Sequence, residues 1–130
     1  MRRNEPGWTP SFSAAAAALS AGVSVSTVVA GLQAFEPVKG RSKVLRLAVQ
    51  GRSVTLVDDT YNANPDSVRA AIDVLADLPG PHLLVLGDMG EVGQQGAAFH
   101  AEAGRYAKAK GIETLLTLGE LAQVAANAFE

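Results

Sequence analysis

Apolar positions along this chain follow two spacings, and the change from one to the other marks out its elements. Val44-Leu45-Arg46-Leu47-Ala48-Val49 and Ser53-Val54-Thr55-Leu56-Val57 are short, strand-like runs rich in β-branched residues. They flank Gln50-Gly51-Arg52, which has the length and glycine of a hairpin loop. After Pro65 the period changes, and Val68, Ile72, Val74, Leu75 and Leu78 fall mostly on one helical face. The pattern therefore predicts a helix from Pro65 to about Leu78, a break at Pro79-Gly80-Pro81 and a strand at Leu83–Leu86. A helix from about Gln95 to Lys110, a strand at Thr114–Leu118 and a helix at Glu120–Ala128 complete it. Upstream, Ser13 to about Ala21 and Ser24 to about Phe35 read as two helices with a serine at each N-cap and Gly22 between them, and Pro37 and Gly40 mark a linker. Strands separated by helices imply parallel pairing with right-handed crossovers. The expected fold class is α/β: a mostly parallel sheet with flanking helices, preceded by a helical pair and a β-hairpin.

Composition narrows this only slightly. At 130 residues, 48% of them apolar, the chain can bury one core of ordinary size. Its net charge of −2 gives no basic stripe for nucleic acid, so no nucleic-acid partner is expected. The apolar stretch Ala14–Ala30 is interrupted by Ser20, Gly22, Ser24, Ser26 and Thr27, so no membrane span is expected. Without cysteine there is neither a disulfide nor a thiol site, which is compatible with a cytoplasmic protein. Met1-Arg2-Arg3 leads into polar, proline-rich sequence rather than a secretory core, and residues 1–12 read as disordered or as added sequence.

The chemistry concentrates in Asp58-Asp59-Thr60-Tyr61-Asn62-Ala63-Asn64-Pro65-Asp66-Ser67, where a strand gives way to a helix. Asn64 suits the N-cap and Pro65 the first turn, so the polar residues before them face free helix N–H groups where a phosphate is well received. Good turn chemistry alone explains part of the string, although the second acid, Tyr61 and the paired amides exceed what a turn needs. Neighbours on a strand point to opposite faces, so one of Asp58 and Asp59 should face a cleft; we favour Asp59, the alternative being an acid satisfied by turn N–H groups. Asp88 and Glu91 lie in a second glycine-rich loop, Leu86-Gly87-Asp88-Met89-Gly90-Glu91-Val92-Gly93, where acids also favour a nearby helix start. Parallel strands discharge their loops on one sheet edge, so the two loops are expected side by side. His100 reads as a structural helical histidine and His82 as a loop residue. Phe99, Tyr106 and Phe129 read as packing residues.

The acidic string resembles the signature that opens the C-terminal domain of the Mur ligases. Pro37-Val38-Lys39-Gly40-Arg41 resembles the linker closing their central ATPase domain, and Ala14–Phe35 resembles the alanine-rich helices before it. The Gly-Asp-Met loop, followed by His100 and Gly104, is similar to the branch that joins D-alanyl-D-alanine to UDP-N-acetylmuramoyl-tripeptide. The resemblance implies that residues 13–40 end the central domain and 41–130 form a truncated, Rossmann-like C-terminal domain. It implies ATP and Mg²⁺ as cofactors, those two substrates as partners, an acyl phosphate intermediate and a monomeric, cytoplasmic enzyme. Arg41, Asp59, Tyr61, Asn62 and Asn64 become nucleotide-binding candidates, and Asp88, Met89 and Glu91 substrate-binding ones. No catalytic residue and no protein metal ligand is assigned.

Two departures accompany it. Glu5-Pro6-Gly7-Trp8-Thr9-Pro10-Ser11-Phe12 stands where the family has an adenine-holding Gly-x-His-Asn-x-x-Asn pattern, and the chain has no Gly-x-x-x-x-Gly-Lys-[Ser/Thr] loop. The 130 residues alone are therefore expected to be inactive. Two other classes fit parts of the string: a receiver with Asp88 as phosphoacceptor, and a non-catalytic α/β binding module.

Overall fold

A computed structural model describes residues 8–36 and 38–130. Two helices, α1 (Trp8–Ser20) and α2 (Val25–Ala34), precede a hairpin of β1 (Lys43–Val49) and β2 (Arg52–Asp58). Helix α3 (Pro65–Ala76), strand β3 (Leu83–Gly87), helix α4 (Gly96–Ala109), strand β4 (Thr114–Leu118) and helix α5 (Ala122–Phe129) follow. From α2 onward these elements agree with the predicted ones to within a residue or two at each end, where helix and strand limits are least sharp. Helix α1 instead begins at Trp8, five residues ahead of the expected Ser13 cap, which lies inside it. Pro10 does not prevent this, because the N–H groups of a helix's first turn have no intrahelical partner to lose. The expectation of disorder for the first seven residues lies outside the described residues.

Local chemistry explains most boundaries. Ser24 caps α2, its hydroxyl accepting from the Thr27 N–H at 3.2 Å. The hairpin closes on two residues, Gln50 (φ 50°) and Gly51 (φ 77°), with Val49 paired to Arg52. Positive φ at both positions is the twist-matched turn of a two-residue hairpin, so Arg52 belongs to the strand rather than the loop.

The expected single sheet is divided. Among the described residues β2 pairs only with β1, antiparallel from Lys43↔Asp58 to Val49↔Arg52. Strand β3 pairs parallel with β4 from Leu83↔Thr114 to Gly87↔Leu118. The predicted parallel crossover is thus present between β3 and β4, whereas the shared edge between β2 and β3 is not. What connects the two halves is packing: Val68 and Ile72 of α3 enter one cluster with Leu86, Met89, Ala103, Ala107, Ile112 and Ala125, and Ala63 and Val92 press against it. Helices α4 and α5 approach so closely that a Cβ on buried Gly104 would overlap the Ala125 backbone. The other face of β3–β4, with Leu83, Val85, Leu116 and Leu118, is open.

Candidate functional site

The end of β2 is tied to the linker by contacts that the sequence spaces about 20 residues apart. The Tyr61 N–H donates to the Gly40 carbonyl at 2.8 Å. Gly40 is buried with φ 77°, and a Cβ there would sit 2.9 Å from the Tyr61 nitrogen, so both conformation and space require glycine. One residue on, the Arg41 guanidinium lies over the Tyr61 ring, 4.1 Å from its centroid. Ser42, at φ 49°, donates both its N–H (2.8 Å) and its hydroxyl (3.0 Å) to Asp59 Oδ1. Asp58 is held locally, accepting from the Thr60 hydroxyl at 2.7 Å and the Thr60 N–H at 3.3 Å. That hydroxyl above all, against some opposing desolvation, lowers the Asp58 pKa below the usual aspartate value. Arg41, Asp59 and Tyr61 are therefore brought together, with Tyr61 64% exposed at the surface.

The two amides point elsewhere. Asn62 Oδ1 accepts from the Ala63 N–H at 2.9 Å. Asn64 caps α3 as expected: its Oδ1 accepts from the Ser67 N–H at 2.9 Å while the Ser67 hydroxyl accepts from the Asn64 N–H at 3.0 Å. This reciprocal pair satisfies two donors that the helix start leaves open.

In the second loop, Asp88 reaches across to α5, where its Oδ1 accepts from the Ala122 N–H at 2.6 Å. The acid does serve a helix start, but that of α5 rather than of the helix following its own loop. Met89 is only 2% exposed, its side chain in the core. Its N–H donates to Nε2 of His100, a fully buried ring whose Nδ1 lies 2.7 Å from the Gly96 carbonyl. With Nε2 accepting, Nδ1 must carry the proton, which fixes one tautomer. Glu91 is exposed, on backbone at φ 56°. The two loops leave different sheets rather than one edge, and they meet through the shared core.

Several polar residues escaped the sequence reading. Ser42 and Thr60, the partners of the two aspartates, are among them. A second network joins α3 to α4: Tyr106 donates to Asp73 Oδ1 at 2.7 Å, Lys110 pairs with the same oxygen at 2.6 Å, and Arg69 binds Glu102 at 2.8 Å while lying 4.1 Å from the Tyr106 ring centroid. The signal was present as four-residue spacings, Arg69 to Asp73 and Glu102 to Tyr106 to Lys110. His82 is also more than a loop residue, with its ring nitrogens 3.0 Å from Glu113 Oε2 and 2.7 Å from the Leu78 carbonyl. Both neighbours are acceptors, so the Leu78 carbonyl first and Glu113 after it raise the His82 pKa.

Comparison with known proteins places this geometry among relatives. The family described as Mur ligase, glutamate ligase domain, matches residues 40–130. The UDP-N-acetylmuramoyl-tripeptide–D-alanyl-D-alanine ligase of Escherichia coli is 41% identical over 109 residues, covering 84% of this chain and 24% of the relative. A crystal structure of MurF from Acinetobacter baumannii superposes with a TM-score of 0.79 at 35% identity, covering 91% of this chain and 25% of that one. The MurF ligase of Thermotoga maritima, solved in complex with ADP, gives 0.71 at 28% identity over 85% of this chain and 24% of that one. The chain thus spans about a quarter of the length of the relatives it matches.

Proposed function

Because the chain belongs to the Mur ligase family, we propose that it forms part of an ATP-dependent amide ligase that joins D-alanyl-D-alanine to UDP-N-acetylmuramoyl-tripeptide in peptidoglycan synthesis. In this reading residues 13–40 end the central ATPase domain and its linker, and residues 41–130 belong to the C-terminal domain. A carboxylate oxygen of the tripeptide attacks the γ-phosphorus of ATP and ADP leaves, giving an acyl phosphate. The dipeptide amine then attacks the acyl carbon, the C–N bond forms, inorganic phosphate departs and the nitrogen gives up its proton.

The observation that carries the proposal is Arg41, held at the carboxyl end of β2 over Tyr61. A guanidinium presents paired donors to phosphate oxygens, and a place just after the linker lets domain closure deliver it to the nucleotide. Asp59, Tyr61, Asn62 and Asn64 form the rest of the nucleotide side, the two amides through the loop and cap that they shape. Glu91 is the acid free to meet the dipeptide ammonium, while Asp88 and Met89 set the shape of its loop. Closure over the cleft excludes water from the acyl phosphate.

Among the described residues no group of three or more acids or histidines is placed to hold a metal ion, and Mg²⁺ is assigned to the whole ligase together with ATP. Among the same residues no helix is long and apolar enough to cross a membrane. We assign the ligase to the cytoplasm as a monomer. The receiver reading has no support, because Asp88 is engaged with α5 and the family is that of the Mur ligases.

A hybrid in which this chain replaces the matching segment of the Escherichia coli ligase tests the proposal. ADP release that depends on both the tripeptide precursor and D-alanyl-D-alanine is the expected result. A folded hybrid with no such release, or with release indifferent to the dipeptide, contradicts it.

A further inference from the structure

We infer that Tyr61 and Asp59 are positioning residues for Arg41, seating its guanidinium at the end of β2 before any nucleotide arrives. The inference rests on the nucleotide reading of this site and specifies how its cation is held. Four contacts converge on three consecutive linker residues: Tyr61 N–H to the Gly40 carbonyl, the Tyr61 ring beneath Arg41, and the Ser42 N–H and hydroxyl on Asp59. Together they hold all three residues, two of them on Ser42, so backbone on both sides of Arg41 is fixed to the end of β2 and its side chain has an aromatic seat. Among the described residues no carboxylate pairs with Arg41, so its charge is not neutralised by an ion pair. A ring attracts a guanidinium without occupying its N–H donors, and an arginine ordered this way gives up less side-chain freedom when it meets a phosphate. Tyr61 then acts through Arg41, and the ring face covered by the guanidinium is not available to a base. The linker from Gly40 to Ser42 moves with the strand, and any hinge lies before Gly40.

Two measurements test this. In the 130-residue chain, the Arg41 Hδ and Hε protons should resonate upfield because of the Tyr61 ring, an offset kept in Tyr61→Phe and lost in Tyr61→Leu. In the Escherichia coli hybrid, Arg41→Ala should raise KM for ATP about tenfold, as expected for loss of a charge-assisted hydrogen bond, and Tyr61→Leu about threefold. The double variant should be no worse than Arg41→Ala, since one residue acts through the other. Additive losses would overturn the inference, because Tyr61 would then meet the nucleotide directly. If neither substitution moves KM while the upfield offset is intact, the nucleotide reading falls and the positioning stands. No offset in the unsubstituted chain overturns the positioning whatever the kinetics.

Discussion

The loops after β2 and β3 start from the same situation, an acid at the carboxyl end of a strand ahead of a helix, and resolve it in opposite directions. In the first, Asp59 turns to the linker and leaves Arg41 stacked on a tyrosine at the surface. In the second, Asp88 turns to α5, Met89 fills the core, and a buried histidine fastens the backbone. Acid-rich sequence therefore does not by itself mark a ligand contact. What separates the loops is where the partners lie: a glycine-bearing linker that keeps side chains outside, or two core helices that draw them in.

Substituting His100 should separate the loops most sharply. His100→Ala leaves the Met89 N–H buried without a partner and opens a cavity, at a cost of about 2–4 kcal/mol. Chemical denaturation should show that loss, with amide exchange accelerating at residues 88–93 and little changed at 59–62. Asp88→Ala should cost about 1.5 kcal/mol, since it removes a charge-assisted cap, and should fray the first turn of α5. Asn64→Ala should cost about 1 kcal/mol and loosen the start of α3, with no effect on α5. Equal disturbance of both loops by any of these variants would undo the contrast.

A smaller effect comes from the far end of β3, where His82 meets Glu113. The raised His82 pKa contributes stability that is full below its ordinary value of 6.5 and is lost as pH rises through the raised value. Glu113 is lowered, first by the His82 N–H, so its contribution is full above 4.5 and is lost as pH falls through the lowered value. Both contributions are complete between pH 4.5 and 6.5. Thermal melts of the unsubstituted chain and of Glu113→Gln should differ most in that window. A gap that widens above it would contradict the assignment.

The sequence made local features legible. The caps at Ser24 and Asn64, and the strand and helix limits from α2 onward, follow from spacing and neighbouring residues. The α1 start was missed because residues 1–12 read as disordered or added sequence and Ser13 as an N-cap, whereas the helix begins at Trp8 and its first turn accepts Pro10. The partners of Met89 and Asp88 were not legible for a different reason: His100 and Ala122 are 11 and 34 residues away and reach them only through tertiary packing. The shared sheet edge was assumed from alternating strands and helices, a rule about which strands can pair rather than which do. Arg41 and Tyr61 were named separately, and the backbone bond from Tyr61 to Gly40 is what unites them.

The central claim is that the two loops serve opposite ends of one reaction, and a paired steady-state comparison in the Escherichia coli hybrid tests it. Arg41→Lys keeps the charge but loses the paired donor geometry, so it should raise KM for ATP and leave KM for D-alanyl-D-alanine unchanged. Glu91→Gln should do the reverse. Both substitutions acting on the same substrate, or neither acting on either, would contradict the account.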